Sequence, residues 1–166
     1  MHIIYLPGNS VGNKARIEKV KAEFDKFSTG EILYYDHWQT GQKWLNLTAE
    51  SAKLAKMVDG QKEYFVFAKS AGTGLAIKNI FEKKFSPKKA IFCGFPTVRY
   101  LAYPLPPTIF VQNEFDPVCS FEKLEKALLT TPPVAPYQLI KNAGLHSHDY
   151  DDFDQLAMLA KEFFKS

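Results

Sequence analysis

Tyr64-Phe65-Val66-Phe67-Ala68 is an apolar run that breaks at Lys69-Ser70-Ala71-Gly72 and resumes at once with helical spacing in Leu75, Ile77, Ile80 and Phe81. A buried strand that turns into a helix within so few residues belongs to a sheet covered by helices. It also carries a serine hydroxyl to the sheet rim, at the start of that helix. The turn is too tight for bulk beside the serine, so small residues stand two positions away on either side, here Ala68 and Gly72. Ser70 is therefore the candidate nucleophile. Ala68 occupies a position where glycine is usual, and alanine still fits such turns.

The rest of the chain repeats this alternation. Strands are expected over residues 2–6, 32–35, 64–68, 90–93, 108–112 and 137–140, most of them continuous apolar runs suited to a sheet buried on both faces. Helical spacing is expected over 15–27, 48–58, 70–85, 120–129 and 152–164, for example Ile17, Val20, Phe24 and Phe27 on one stripe. Strand, helix, strand, repeated, implies an α/β fold: a three-layer α/β/α, open, mostly parallel, doubly wound sheet of six strands. No repeat or linker interrupts it, and 166 residues suit a single domain over 1–166. Ligands in such sheets bind beyond the carboxyl ends of the strands, which selects the loops to inspect.

Charge narrows the partners. Net charge is only +3, and lysines alternate with acids along the expected helices, so a nucleic-acid partner is not expected. No apolar stretch is long enough to span a bilayer and no charged leader precedes the first strand, so the chain reads as cytoplasmic and not membrane-bound. Cys93 and Cys119 form neither a disulfide framework nor a metal-ligand spacing. Oligomeric state is not legible.

The loop after the first strand, Pro7-Gly8-Asn9-Ser10, can aim free backbone N–H groups at a developing negative charge. Asn9, with Ser10 its neighbour, would pair there with the N–H of Ala71 at the helix start. The loop after the fifth strand carries Asp116 before Pro117, an acid able to hold an imidazole still, with Glu114 a less favoured second. The loop after the sixth strand carries His146 and His148 beyond Gly144. His146 is preferred as base, with His148 a rival or a substrate contact. Lys69, His37 and Trp38 could also line a substrate pocket. His146, His148, Asp149, Asp151 and Asp152 match no tetrahedral zinc spacing, so neither a metal nor another cofactor is expected.

The order Ser70, Asp116, His146 across the whole chain resembles the α/β-hydrolase fold, and most of all its small cap-less serine hydrolases of the retinoblastoma-binding-protein type. By that resemblance, Ser70 would attack an acyl carbonyl of a small-molecule ester or thioester. His146 would act as base and then acid, Asp116 would fix the imidazole, and Asn9 and Ala71 would form the oxyanion hole. The resemblance departs at Pro7, where a histidine is frequent, and in lacking the leading antiparallel strands of larger members. The alternative is a non-catalytic interaction protein that keeps the fold.

Overall fold

The computed structural model describes residues 1–166. Six strands, β1 (His2–Leu6), β2 (Thr29–Ile32), β3 (Phe65–Lys69), β4 (Ala90–Cys93), β5 (Thr108–Asn113) and β6 (Tyr137–Asn142), form one sheet in the order β2-β1-β3-β4-β5-β6. Every pairing is parallel. The helices are α1 (Asn13–Phe24), α2 (His37–Thr40), α3 (Leu47–Met57), α4 (Ala71–Phe81), α5 (Phe121–Thr130) and α6 (Phe153–Lys165), with a 3₁₀ turn at Val98–Ala102.

Side chains alternate across each strand, so a doubly covered sheet needs apolar residues at consecutive positions. Ile4 and Leu6 enter a core with Leu54 of α3, Leu75 and Ile77 of α4, and Leu124 and Leu128 of α5. Ile3 and Tyr5 enter the opposite core with Ile17, Val20 and Phe24 of α1 and Leu156, Ala160 and Phe164 of α6. The sheet is thus a middle layer between two helical layers. No helix is long and apolar enough to cross a membrane.

Strand 2 departs from expectation. Ile32, Leu33 and Tyr35 are buried and Tyr34 is exposed, but the ladder forms earlier, over Thr29–Ile32. Gly30 explains the shift. A Cβ at Gly30 would lie 2.7 Å from the Tyr5 ring and closer still to the Ile3 carbonyl, so this polar edge segment alone can approach β1. Leu33 N still donates to Tyr5 O at 3.0 Å, and the Leu33 and Tyr35 side chains fill the α3–α5 core, where the Tyr35 hydroxyl donates to Pro7 O at 2.8 Å. The segment expected as loop at 37–40 is a short helix, and Val98–Ala102 adds a turn of 3₁₀.

The strand order reverses between β1 and β3. A crevice opens where consecutive connections leave on opposite faces, and that is where open α/β sheets bind ligands. The β1 loop carrying Asn9 and the β3 turn carrying Ser70 flank this point.

Candidate active site

Ser70 holds φ +51° and ψ −114°, a region that residues with a Cβ rarely occupy. The surrounding backbone fixes it there. Its N–H donates to Cys93 O at 3.0 Å, and its carbonyl accepts from Thr73 N at 2.9 Å at the start of α4. Gly72 lets α4 press against β1: a Cβ there would lie 2.7 Å from Pro7 O and nearer still to Leu6 O. Ala68 is fully buried between its β1 and β4 neighbours, so an alanine fits the upstream side of the turn.

Asp116 is buried just past β5. Its Oδ1 accepts from Val118 N at 2.8 Å and Cys119 N at 3.3 Å. Its Oδ2 accepts from the Tyr150 hydroxyl at 2.7 Å and lies 2.7 Å from His148 Nδ1. Burial alone would push this carboxyl up, but the bonds from His148, Tyr150 and Val118 outweigh it and hold the group below the usual carboxylate range.

The imidazole on Asp116 is therefore that of His148. His146, the preferred base, instead stacks on the Phe115 ring at 4.4 Å between centroids, is exposed, and makes no hydrogen bond to the carboxylate. Aromatic stacking captures His146 because Phe115 points outward beside it. His148 is drawn inward over Gly94, whose φ of +59° and missing side chain make the space. A Cβ at Gly94 would lie 2.8 Å from His148 Cε1. Lys69 pairs with Cys93 across β3 and β4, so Gly94 is the next rung opposite Ser70 at the ~4.8 Å strand spacing. His148 Nε2 is buried there with no partner inside the protein.

The loop bearing His148 is held from three sides. Asn113 Nδ2 donates to both carbonyls that flank the histidine, Ser147 O and Asp149 O, each at 2.8 Å. Arg16 of α1 grips the Asp149 carboxylate with two bonds of 2.5 and 2.7 Å, and its Nε lies 3.2 Å from Asp151. Tyr150, whose hydroxyl also accepts from Asn113 N at 3.0 Å, packs edge-on to His148. Glu114, the second acid, serves the same loop at its start: it accepts from Gly144 N at 2.8 Å and pairs with Lys141. Asn113, Tyr150, Arg16 and Gly94 were not legible as site residues. The one available signal was Gln112-Asn113, polar residues closing an otherwise apolar strand.

Several expected pocket residues lie beneath the site rather than in it. Asn9 spends its side chain on the 43–45 segment, donating to Lys43 O and accepting from Leu45 N, both at 2.9 Å. Its carbonyl accepts from His37 Nε2 at 2.7 Å and Trp38 Nε1 at 2.8 Å. His37 and Trp38 thus pin the β1 loop and do not line the Ser70 cleft. Ser10 accepts from the Asn13 side chain at 2.8 Å. Lys69 is turned under the sheet rim, its ammonium 2.9 Å from Asn13 Oδ1 and 3.9 Å from Asp149, and burial lowers its pKa. These contacts replace the expected pocket roles of Ser10, Lys69, His37 and Trp38.

What lines the cleft is different. An open hollow of about 370 Å³ is bordered by Asn9, Ser70 and Ala71, with Trp44, Leu47 and Tyr100 among its walls. The backbone N–H groups of Asn9 and Ala71 have no acceptor within the protein. Both belong to the cleft lining, one from the β1 loop and one from the α4 terminus.

Solved structures share this architecture. The chain superposes on an α/β serine hydrolase homologue from Coxiella burnetii with a TM-score of 0.73 at 18% identity, covering 98% of this chain and 83% of that one. The fold is that of the α/β-hydrolases. A dienelactone hydrolase from Anabaena variabilis matches with a TM-score of 0.74 at 16% identity over 99% of this chain and 85% of its own. An uncharacterised Bacillus cereus protein reaches 0.77 at 18% identity over 99% of this chain, which spans only 60% of that protein's length. No family model and no curated protein matches the sequence.

Proposed function

We propose that this α/β-hydrolase-fold protein is a serine hydrolase that cleaves carboxylic esters or thioesters through an acyl-enzyme. The carrying observation is the pair formed by buried Asp116 and His148 Nδ1 at 2.7 Å, with the imidazole over Gly94, the rung opposite Ser70. A carboxylate on Nδ1 keeps the proton there and leaves Nε2 as the acceptor, which is what a base for a neighbouring hydroxyl needs.

In the proposed cycle, Ser70 Oγ attacks the acyl carbonyl while its proton passes to His148 Nε2. Asp116 stabilises the imidazolium through Nδ1–H. The oxyanion takes up the unused N–H groups of Asn9 and Ala71, the latter at the positive end of α4. His148 returns the proton to the departing alkoxide or thiolate. Water, deprotonated by the same imidazole, then releases the acid and restores Ser70. His148 and Ser70 share no hydrogen bond at rest, and such contacts commonly close only around bound substrate.

A fluorophosphonate probe tests the reading directly. Wild-type protein should be labelled at Ser70 and should hydrolyse p-nitrophenyl acetate, and Ser70→Ala should do neither. Folded wild-type protein that resists labelling and leaves the ester intact overturns it.

A further inference from the structure

The hollow at Ser70 does not end at Tyr100. A second one of about 310 Å³ adjoins it, sharing Leu47, Gly74 and Tyr100, and runs on to Phe81 and Tyr103. Its floor is one stripe of α4. Gly74, Ile77 and Phe81 follow Ser70 at intervals of four, seven and eleven residues, so they line one face of the helix that the nucleophile begins. Gly74 lets the Tyr100 ring settle directly on α4, where it forms one wall: a Cβ at Gly74 would lie 2.7 Å from the Tyr100 hydroxyl.

The walls face water yet are apolar. Trp44 is 67% exposed, Phe81 58% and Leu47 41%, which is unusual for side chains of this size grouped along one furrow. Phe81 and Tyr103 brace each other edge to face at 5.0 Å. The Lys78–Glu82 ion pair borders the same hollow beside Phe81.

The length is informative. Eleven residues of α-helix span about 16 Å at ~1.5 Å each. An extended hydrocarbon advances roughly 1.3 Å per carbon, given C–C bonds of about 1.5 Å, so the furrow matches a chain of about twelve carbons. A furrow that starts at the nucleophile and is walled by Trp44, Leu47, Tyr100, Phe81 and Tyr103, with one ion pair along its rim, fits an extended apolar chain.

We propose that the acyl group accepted by Ser70 is a linear hydrocarbon chain of about eight to twelve carbons, laid along α4 from Ser70 to Phe81. The proposal rests on the serine-hydrolase reading above and names its substrate class. The carbonyl sits at Ala71 and Asn9, the first methylenes pass between Leu47 and Tyr100, and the chain end rests on Phe81 and Tyr103.

A series of p-nitrophenyl esters from acetate to dodecanoate, kept below their micelle concentrations, tests this. For wild type, kcat/KM should climb about twofold per added methylene beyond butyrate, since each buries part of its surface, and level off near ten to twelve carbons. In Phe81→Glu, the decanoate-to-butyrate ratio of kcat/KM should fall about tenfold. Tyr103→Asp should lower the same ratio, and serves if Phe81→Glu fails to fold. A Ser70-labelled enzyme whose activity peaks at acetate or butyrate overturns the furrow assignment and leaves the hydrolase reading standing. A ratio unmoved in both variants does the same. A wild-type dimer that Phe81→Glu dissociates would give the furrow to a second copy and overturn it too. A protein that neither labels nor hydrolyses acetate overturns both readings.

Discussion

At Ser70 the chain carries strain at a position where serine has no local reason to be. A left-handed φ on a residue with a Cβ costs on the order of 1–3 kcal/mol, and the serine hydroxyl makes no hydrogen bond that offsets it. Glycine would relax that backbone at a smaller cost in unfolded-chain entropy. Ser70→Gly should therefore raise stability by about 1 kcal/mol, seen as a Tm increase of roughly 2–4 °C for a chain of this size, while abolishing fluorophosphonate labelling. A lower Tm would mean that the turn is not under tension. The histidines make the complementary case. His148→Ala should reduce kcat/KM on a short aryl ester about a thousandfold or more, because it removes the group on Asp116. His146→Ala, which loses only an exposed stack on Phe115, should stay within about threefold. An inverted pair of results would reject the assignment. The sequence could place a serine, an acid and a histidine loop in order, because each follows a strand. It could not choose between histidines two residues apart. That choice depends on Phe115 pointing outward and on the space above Gly94, both facts of tertiary packing.

Among the elements, the parallel strands are legible wherever both faces are buried, since the middles of β1, β3, β4 and β5 are then continuous apolar runs. Edge strand β2 was misplaced because Gly30, not hydrophobicity, decides where it can approach β1. The cleft walls escaped notice for a related reason: Trp44 and Tyr100 come from irregular connections with no period to read. The 143–152 loop shows how elements cooperate on one side chain. β5 supplies Asn113 and Asp116, α1 supplies Arg16, and the loop itself supplies Tyr150. Under the proposed hydrolase reading, Tyr150 is a positioning residue that acts through Asp116. Tyr150→Phe keeps the ring against His148 but removes one donor from the carboxylate, which then attracts the imidazolium more strongly. The acid limb of the pH–rate profile should move to higher pH by about half a unit, with kcat reduced several-fold. Lower activity with an unmoved limb would reduce Tyr150 to a packing role.

For the molecule as a whole, the sheet order is what turns separate loops into one crevice, and it was not written in any single segment. The reversal between β1 and β3 sets the Asn9 loop beside Ser70, and the step from β4 to β5 sets Asp116 near Gly94. On the proposed reading, function and global stability are therefore coupled at Asp116. Its carboxyl lies below the ordinary range in the folded state, so the unfolded chain takes up that proton first as pH falls. The associated stability is complete above the unfolded carboxyl's value of about 3.9 and drains away as pH drops toward the depressed folded one. Other carboxylates weaken the fold in acid as well, but they are common to wild type and Asp116→Asn and cancel in the difference between them. Urea unfolding of both proteins at pH 5 and pH 3 isolates the one group. Wild type should exceed Asp116→Asn at pH 5, and the gap should narrow at pH 3, by at most about 1 kcal/mol. A constant gap would mean that the carboxylate's partners contribute through shape alone. A widening one would mean that folding raises, rather than lowers, its proton affinity.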